Sequence, residues 1–300
     1  MSDVPSDTTA WARLDQALTR LHAAGHQLTL WWRDDDAVRA TPQLDRLLDL
    51  AQRYHLPLAL AVVPGPAETS LVERLDYLSA QQPEAVILQH GWTHQNHAAA
   101  GEKKCEYPAS RDPDICLAEL SQGQARLRHM FRSRFLPVLV PPWNRFAPTL
   151  IPSLAHHGFI GLSGGPSGFS TASSDGKRSN GIGATSLRQV HTTLDPIDWA
   201  SRRNPASNSG TGLRPVSAIL DDIITPLEDA LAPPMTAPPF PHTTTPPDFP
   251  AIPFPLTLGI LTHHLVHDAA LWAFLDQLFL QLTRHPAVRF ISAHRLFQKN

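Results

Sequence analysis

Short apolar runs alternate with stretches of helical periodicity through the first half of the chain, and this alternation constrains the fold more than any other feature. Trp11, Leu14, Leu18 and Leu21 recur at steps of three and four, marking an N-terminal amphipathic helix over about 9–25 that Gly25 can end. The run QLTLWW passes through Arg33 into Asp34, Asp35 and Asp36, so these carboxylates lie at the C-terminal end of a strand. Thr41 and Pro42 supply a cap and a first-turn proline for a helix carrying Leu44, Leu47, Leu48 and Ala51, after which LPLALAVV reads as a buried strand. A helix near 68–80, strand AVILQH, a helix near 117–132, strand FLPVLV, a helix near 147–157 and strand FIGLSG continue the series. Repeated β-α units imply parallel strands in a closed or nearly closed barrel, with the chemistry at the strands' C-terminal ends.

The second half is less regular. Residues 164–186 and 202–212 are rich in Gly and Ser and read as loops. Between Leu231 and Pro255 fall ten prolines, which cannot supply the amide donors of a helix or central strand, so 231–255 reads as an extended surface insertion. Beyond it LTLGILTHH gives a strand, Ala269 to Leu282 an apolar helix and VRFISA a last short strand. Residues 256–300 are too few to be stable alone, so the expectation is a single domain spanning 1–300.

A charge of −2, from 25 basic and 27 acidic residues, creates no basic field for nucleic acid or anionic membranes. Cys105 and Cys116 stand near no other ligand-like pair, so free thiols are expected rather than a disulfide framework or zinc ribbon. The start, MSDVPSDTTAWARLDQ, has no basic region followed by an apolar run, and no stretch has the length and apolarity of a membrane span. A cytoplasmic protein without membrane or nucleic-acid partners is the expectation; the pattern leaves oligomeric state open.

The chemistry gathers in two places. In QHGWTHQNH, His90 and His94 stand four apart directly after a strand, and Asp36 or a neighbour, also at a strand end, can complete a three-ligand metal site with an open position for water. In a straight strand only alternate members of the Asp34–Asp36 triplet share a face, although a bend at the strand end relaxes this. His97 reads as structural rather than as a ligand.

RDDDA, HGWTH, LDPIDW and ILTHH, in that order and spacing, resemble the polysaccharide deacetylase family, carbohydrate esterase family 4, over roughly residues 30–295. The resemblance implies a distorted (β/α)7–8 barrel of the glycoside hydrolase/deacetylase type. It also implies a hydrolase acting on carbon–nitrogen bonds other than peptide bonds, removing an acetyl group from the nitrogen of an amino sugar. By that resemblance Asp35 is the base, Asp36, His90 and His94 hold one divalent metal, and His263 is the general acid, oriented by Asp198. Trp199 and Leu261 line the acetyl pocket. Trp143 and Arg145 are further substrate-binding candidates. Zinc is the first choice of metal, with cobalt, nickel, manganese and iron open. No role passes to His264 or His267.

The chain departs from the family pattern in three places. Asp34 stands where the family has an aromatic residue, and Ala37 follows the aspartates in place of glycine. Val140, Pro141, Pro142 and Trp143 lack the family's arginine, for which Arg145 or Arg33 are the candidate replacements beside Asp35. A cytoplasmic location suggests a small acylated sugar or oligosaccharide as substrate. An allantoinase-like amidohydrolase on a non-sugar amide, or a catalytically inactive metal-binding barrel with a regulatory role, are the competing expectations.

Overall fold

The computed structural model describes residues 8–78, 85–166, 169, 187–203, 212–232 and 256–298. In chain order these form α1 (Thr8–Ala23), β1 (Leu28–Ala37), α2 (Pro42–Arg53), β2 (Leu58–Val62), α3 (Thr69–Leu78), β3 (Val86–His90), α4 (Pro113–Phe131), β4 (Phe135–Val140), α5 (Ile151–Leu154), β5 (Gly161–Leu162), β6 (Arg188–Gln189), α6 (Trp199–Arg203), α7 (Val216–Leu231), β7 (Thr257–Thr262), α8 (Ala269–Arg284), β8 (Val288–Phe290) and α9 (Ala293–Phe297).

Every strand pairing is parallel, in the order β6-β5-β4-β3-β2-β1-β7, with β8 on the first part of β1. The circuit closes beyond β6, where Leu194 bridges Ile260 of β7 and Leu261 N–H donates to Leu194 O at 2.8 Å. The result is a distorted β/α barrel. Its interior holds Trp31, Ala59, Ala61, Leu88 and Val138, and α9 plugs it with Leu296 and Phe297. The opposite strand faces pack on the helices, chiefly through Leu30, Leu60 and Ile260 against Leu47, Leu275 and Phe279. Two-sided burial is why β1 to β4 read as near-continuous apolar runs.

Several elements differ from expectation. The helix near 147–157 shrinks to a 3-10 turn, Pro148–Leu150, and the single turn of α5, since Pro148 and Pro152 both withhold an amide donor. The FIGLSG strand keeps only Gly161 and Leu162. In the irregular half, α7 buries Ile219, Leu220, Ile223, Ile224 and Leu227 and packs on α1, with Arg20–Glu228 and Arg13–Asp221 ion pairs at 2.9 and 3.0 Å. Of the proline-rich insertion, 233–255 lies outside the described residues, as do 170–186 and 204–211 of the Gly- and Ser-rich segments. Among the described residues no helix is long and apolar enough to cross a membrane.

Candidate metal centre

Three aspartates at the end of β1 reach three different environments because the strand bulges between Asp34 and Ala37 and Asp36 adopts a left-handed φ of 72°. Asp34 turns toward β7. Its Oδ2 accepts from Thr262 Oγ1 at 2.7 Å and His264 N–H at 2.9 Å, and its Oδ1 meets His264 Nδ1 in a fully buried ion pair. Burial works to raise the Asp34 pKa, but the His264 charge and hydrogen bond outweigh it and leave the carboxyl below its ordinary range. The His264 imidazole is correspondingly raised, Asp34 overcoming desolvation.

Asp35 lies on the same strand face as Arg33, whose fully buried guanidinium grips it as a fork, Nε to Oδ1 at 2.8 Å and Nη2 to Oδ2 at 3.0 Å. Arg33 Nη1 donates to Ser163 Oγ at 2.6 Å, and Nη2 also donates to Asn144 Oδ1 at 3.2 Å. Of the two candidate arginines it is therefore Arg33 that pairs with Asp35. Arg145 Nη1 donates to the Lys104 carbonyl at 3.0 Å instead.

The bulge brings Asp36 to the end of β3, where its Oδ1 lies 3.1 Å from His90 Nε2 and 3.3 Å from His94 Nε2. His90 Nδ1 faces the Val140 carbonyl at 2.9 Å, so that nitrogen carries a proton and a neutral ring presents a bare Nε2 to the carboxylate. Asp36 Oδ1 is buried with no hydrogen-bond partner among the described residues. Lone pairs facing one another at this distance repel unless a cation lies between them, and a ring nitrogen donating to a backbone carbonyl is the usual second contact of a metal-binding histidine. The donor atoms of the three residues lie within 4.8 Å of one another, so the set fits one divalent ion. Without a cation, burial and the neighbouring His90 lower the His94 pKa, while Asp36 raises that of His90 against its desolvation. Burial opposes the ionised Asp36 carboxyl, but His90, His263 and His94 hold it well below the usual carboxylate range.

His94 itself has a left-handed φ of 59°, and its ring packs on Trp143 at 4.3 Å between centroids. Trp143 and Asn144 also take left-handed φ values of 55° and 54°. Non-glycine residues in that region carry strain of order 1–3 kcal/mol each, and such strain clusters at functional sites. His97 is exposed, and its backbone N–H donates to Cys105 O at 2.9 Å.

On the β7 side, His263 stands edge-on to Trp199 at 4.9 Å, and Trp199 is 36% exposed. Leu261 is buried opposite Arg33 in the β1–β7 register. Asp198, expected to orient His263, caps α6: its Oδ1 accepts from Ala200 and Ser201 N–H at 3.0 Å each, and its Oδ2 from Ser201 Oγ at 2.6 Å. Asp195, three residues earlier, also interacts electrostatically with His263. Burial raises its pKa against the pull of His263, and its oxygens accept from Trp199 Nε1 at 2.8 Å and Ile197 N–H at 3.0 Å. The spacing of LDPIDW displays both carboxylates. His267 accepts from His263 N–H at 3.3 Å, and burial lowers its pKa to about 4.

The sequence matches no family model and no curated protein. Among solved structures, the Bc1960 peptidoglycan N-acetylglucosamine deacetylase is similar over 93% of this chain and 96% of its own, with a TM-score of 0.52 and 13% identity. A CE4 esterase from Streptococcus mutans is similar over 93% of this chain and 90% of its own, at TM-score 0.53 and 13% identity. The chain has the fold of the carbohydrate esterase family 4 deacetylases. Within that fold, Asp36, His90 and His94 converge at the C-terminal ends of β1 and β3, with Arg33–Asp35 beside them and His263 at the end of β7.

Two interactions at the site leave no mark in the sequence. Glu106 is fully buried and accepts the backbone N–H groups of Trp92, Thr93 and His94. The Asp34–His264 pair likewise follows no spacing rule, because its partners lie 230 residues apart.

Proposed function

We propose that this protein is a metal-dependent hydrolase that removes an acetyl group from the nitrogen of an amino sugar. The observation that carries the reading is the buried, unpartnered Asp36 Oδ1 facing two imidazole nitrogens beside a second carboxylate, Asp35, that is held separately by Arg33. Asp36, His90 and His94 would hold the cation. Such an ion, when bound, lowers the pKa of water from 15.7 to roughly 7 and polarises a carbonyl oxygen.

The chain's own groups then divide the proton transfers. Asp35 keeps acceptor capacity on both oxygens despite the Arg33 fork, since a carboxylate offers about four lone-pair sites, and it takes the proton of the attacking water. Arg33 fixes the plane of that carboxylate through two parallel hydrogen bonds. His263 protonates the departing nitrogen; its Nδ1 is buried, so delivery falls to Nε2. Asp195 interacts electrostatically with His263 in the same pocket. Leu261 and Trp199 form the wall for the acetyl methyl, and Trp143 and Arg145 extend the surface toward the rest of the sugar. The similarity to deacetylases in fold supports the reading, and zinc is the proposed metal.

Acetate release from N-acetylated mono- and oligosaccharides, with O-acetylated xylan and a cyclic amide as comparisons, tests the reaction. Asp35→Asn should retain metal and lose turnover, whereas His90→Ala should lose both. Equal metal loss in the two variants would reverse the assignment of base and ligand, and metal without acetate release from any substrate would leave a non-catalytic barrel.

A further inference from the structure

The loop that carries His94 is built around a buried carboxylate. Glu106 is fully buried, and its Oε1 accepts from Thr93 N–H at 2.8 Å, His94 N–H at 2.9 Å and Thr93 Oγ1 at 3.3 Å, while Oε2 accepts from Trp92 N–H at 3.2 Å. Three successive amides converging on one anion form a nest, a concave backbone shape that an anion stabilises. The residues it shapes include Gly91 and His94, with left-handed φ of 60° and 59°.

Among the described residues no cationic side chain bonds the Glu106 carboxylate. The nearby Arg111 donates to the Glu106 backbone carbonyl at 3.4 Å and gives its guanidinium to Glu119. Its carrier segment is pinned on both sides: Cys105 N–H donates to Asn96 Oδ1 at 2.9 Å, and Ala147 N–H donates to Tyr107 O at 3.0 Å. Space has been left for it as well, because a Cβ on Gly91 would fall 1.9 Å from Glu106 Oε2.

We propose that Glu106 is a positioning residue for the metal centre, holding the Trp92–His94 backbone in the strained shape that aims His94 Nε2 at Asp36. The proposal rests on the reading of Asp36, His90 and His94 as ligands. An anion bonded to the amide of a ligand residue adjusts affinity without touching the ion, and loss of such an outer contact typically weakens metal binding by 10- to 100-fold.

The test is Co²⁺ binding to the full chain, followed by visible absorption and chelator competition, with folding checked by circular dichroism in the absence of metal. Glu106→Ala should weaken Co²⁺ binding roughly 10- to 100-fold and alter the absorption bands that report ligand geometry. Glu106→Gln, which keeps volume and one acceptor but presents an amino group to the nest, should fall between it and wild type. Gly91→Ala evicts the same carboxylate without removing its charge and should weaken binding to a similar degree. Glu102→Gln, an exposed change on the same loop, should bind as wild type. A folded Glu106→Ala protein with wild-type affinity and spectrum overturns the proposal. So does a Glu106→Gln protein that stays unfolded in saturating Co²⁺, which would make the residue a support of the whole fold. Wild type that binds no Co²⁺ is a different result, since it removes the ligand reading itself and the proposal with it.

Discussion

Replacing His264 by Ala should be among the most destabilising single changes in this protein, although His264 is outside the set of metal and proton-transfer residues. Asp34 is completely buried and accepts from Thr262 Oγ1, His264 N–H and His264 Nδ1. His264→Ala leaves the first two contacts and removes the imidazole that ion-pairs with that carboxylate. Breaking a buried pair from one side costs about 3–5 kcal/mol, because the remaining ion is left desolvated and uncompensated. Urea unfolding measures this directly. A double-mutant cycle with Asp34→Asn should return a coupling of about 2 kcal/mol or more, near the upper part of the range for contacting pairs. The pH dependence has a definite sign. His264 is raised above its unfolded value, so its contribution is fully present below about pH 6.5 and fades as pH rises through the folded value. Asp34 is lowered, so its contribution holds above about pH 3.9 and fades as pH falls toward the folded value. The stability gap between wild type and His264→Ala should thus be widest from about pH 4 to 6.5 and narrow on the alkaline side. A cost under about 1 kcal/mol, additive with Asp34→Asn, would refute the reasoning.

Asp195→Asn should depress kcat and move the pH–rate profile on its basic limb, whereas Asp198→Ala should cost about 1 kcal/mol of stability through the lost α6 cap and leave kcat near wild type; steady-state kinetics on the pair tests which carboxylate serves His263. Arg33→Met should destabilise by about 3–5 kcal/mol, since it strands Asp35 in the barrel, while Arg33→Lys should keep more stability but lose the fork and lower kcat more than it changes metal content. Gly161→Ala should cost about 1–3 kcal/mol in urea unfolding, because its Cβ would fall 2.4 Å from the Phe297 ring that plugs the barrel.

Much of this architecture is legible because two-sided burial writes itself into composition. LPLALAVV and FLPVLV have almost no polar residue to spare, and the ends of β1 and β3 announce themselves where Asp34 and His90 interrupt apolar runs. The two-residue strands β5 and β6 carry too little pattern to be placed, and α7 sits among loops although Ile219, Ile223 and Leu227 repeat at helical steps. At the site, sequence spacing identifies residues that act through side chains on one turn, such as His90 and His94. It does not identify Glu106, whose carboxylate serves backbone amides that every residue possesses, or separate Asp195 from Asp198. Arg33 is visible only as a neighbour of Asp35, and the alternation of a strand is what puts the two on one face.

Metal analysis of the purified protein after saturation with Zn²⁺ and removal of free ion tests the central claim most directly. The account predicts one tightly held divalent ion per chain, lost when Asp36, His90 or His94 is changed to Ala and kept when Asp35 or His263 is. A wild-type protein without bound ion, or His90→Ala and His94→Ala proteins that retain it at undiminished affinity, would contradict it.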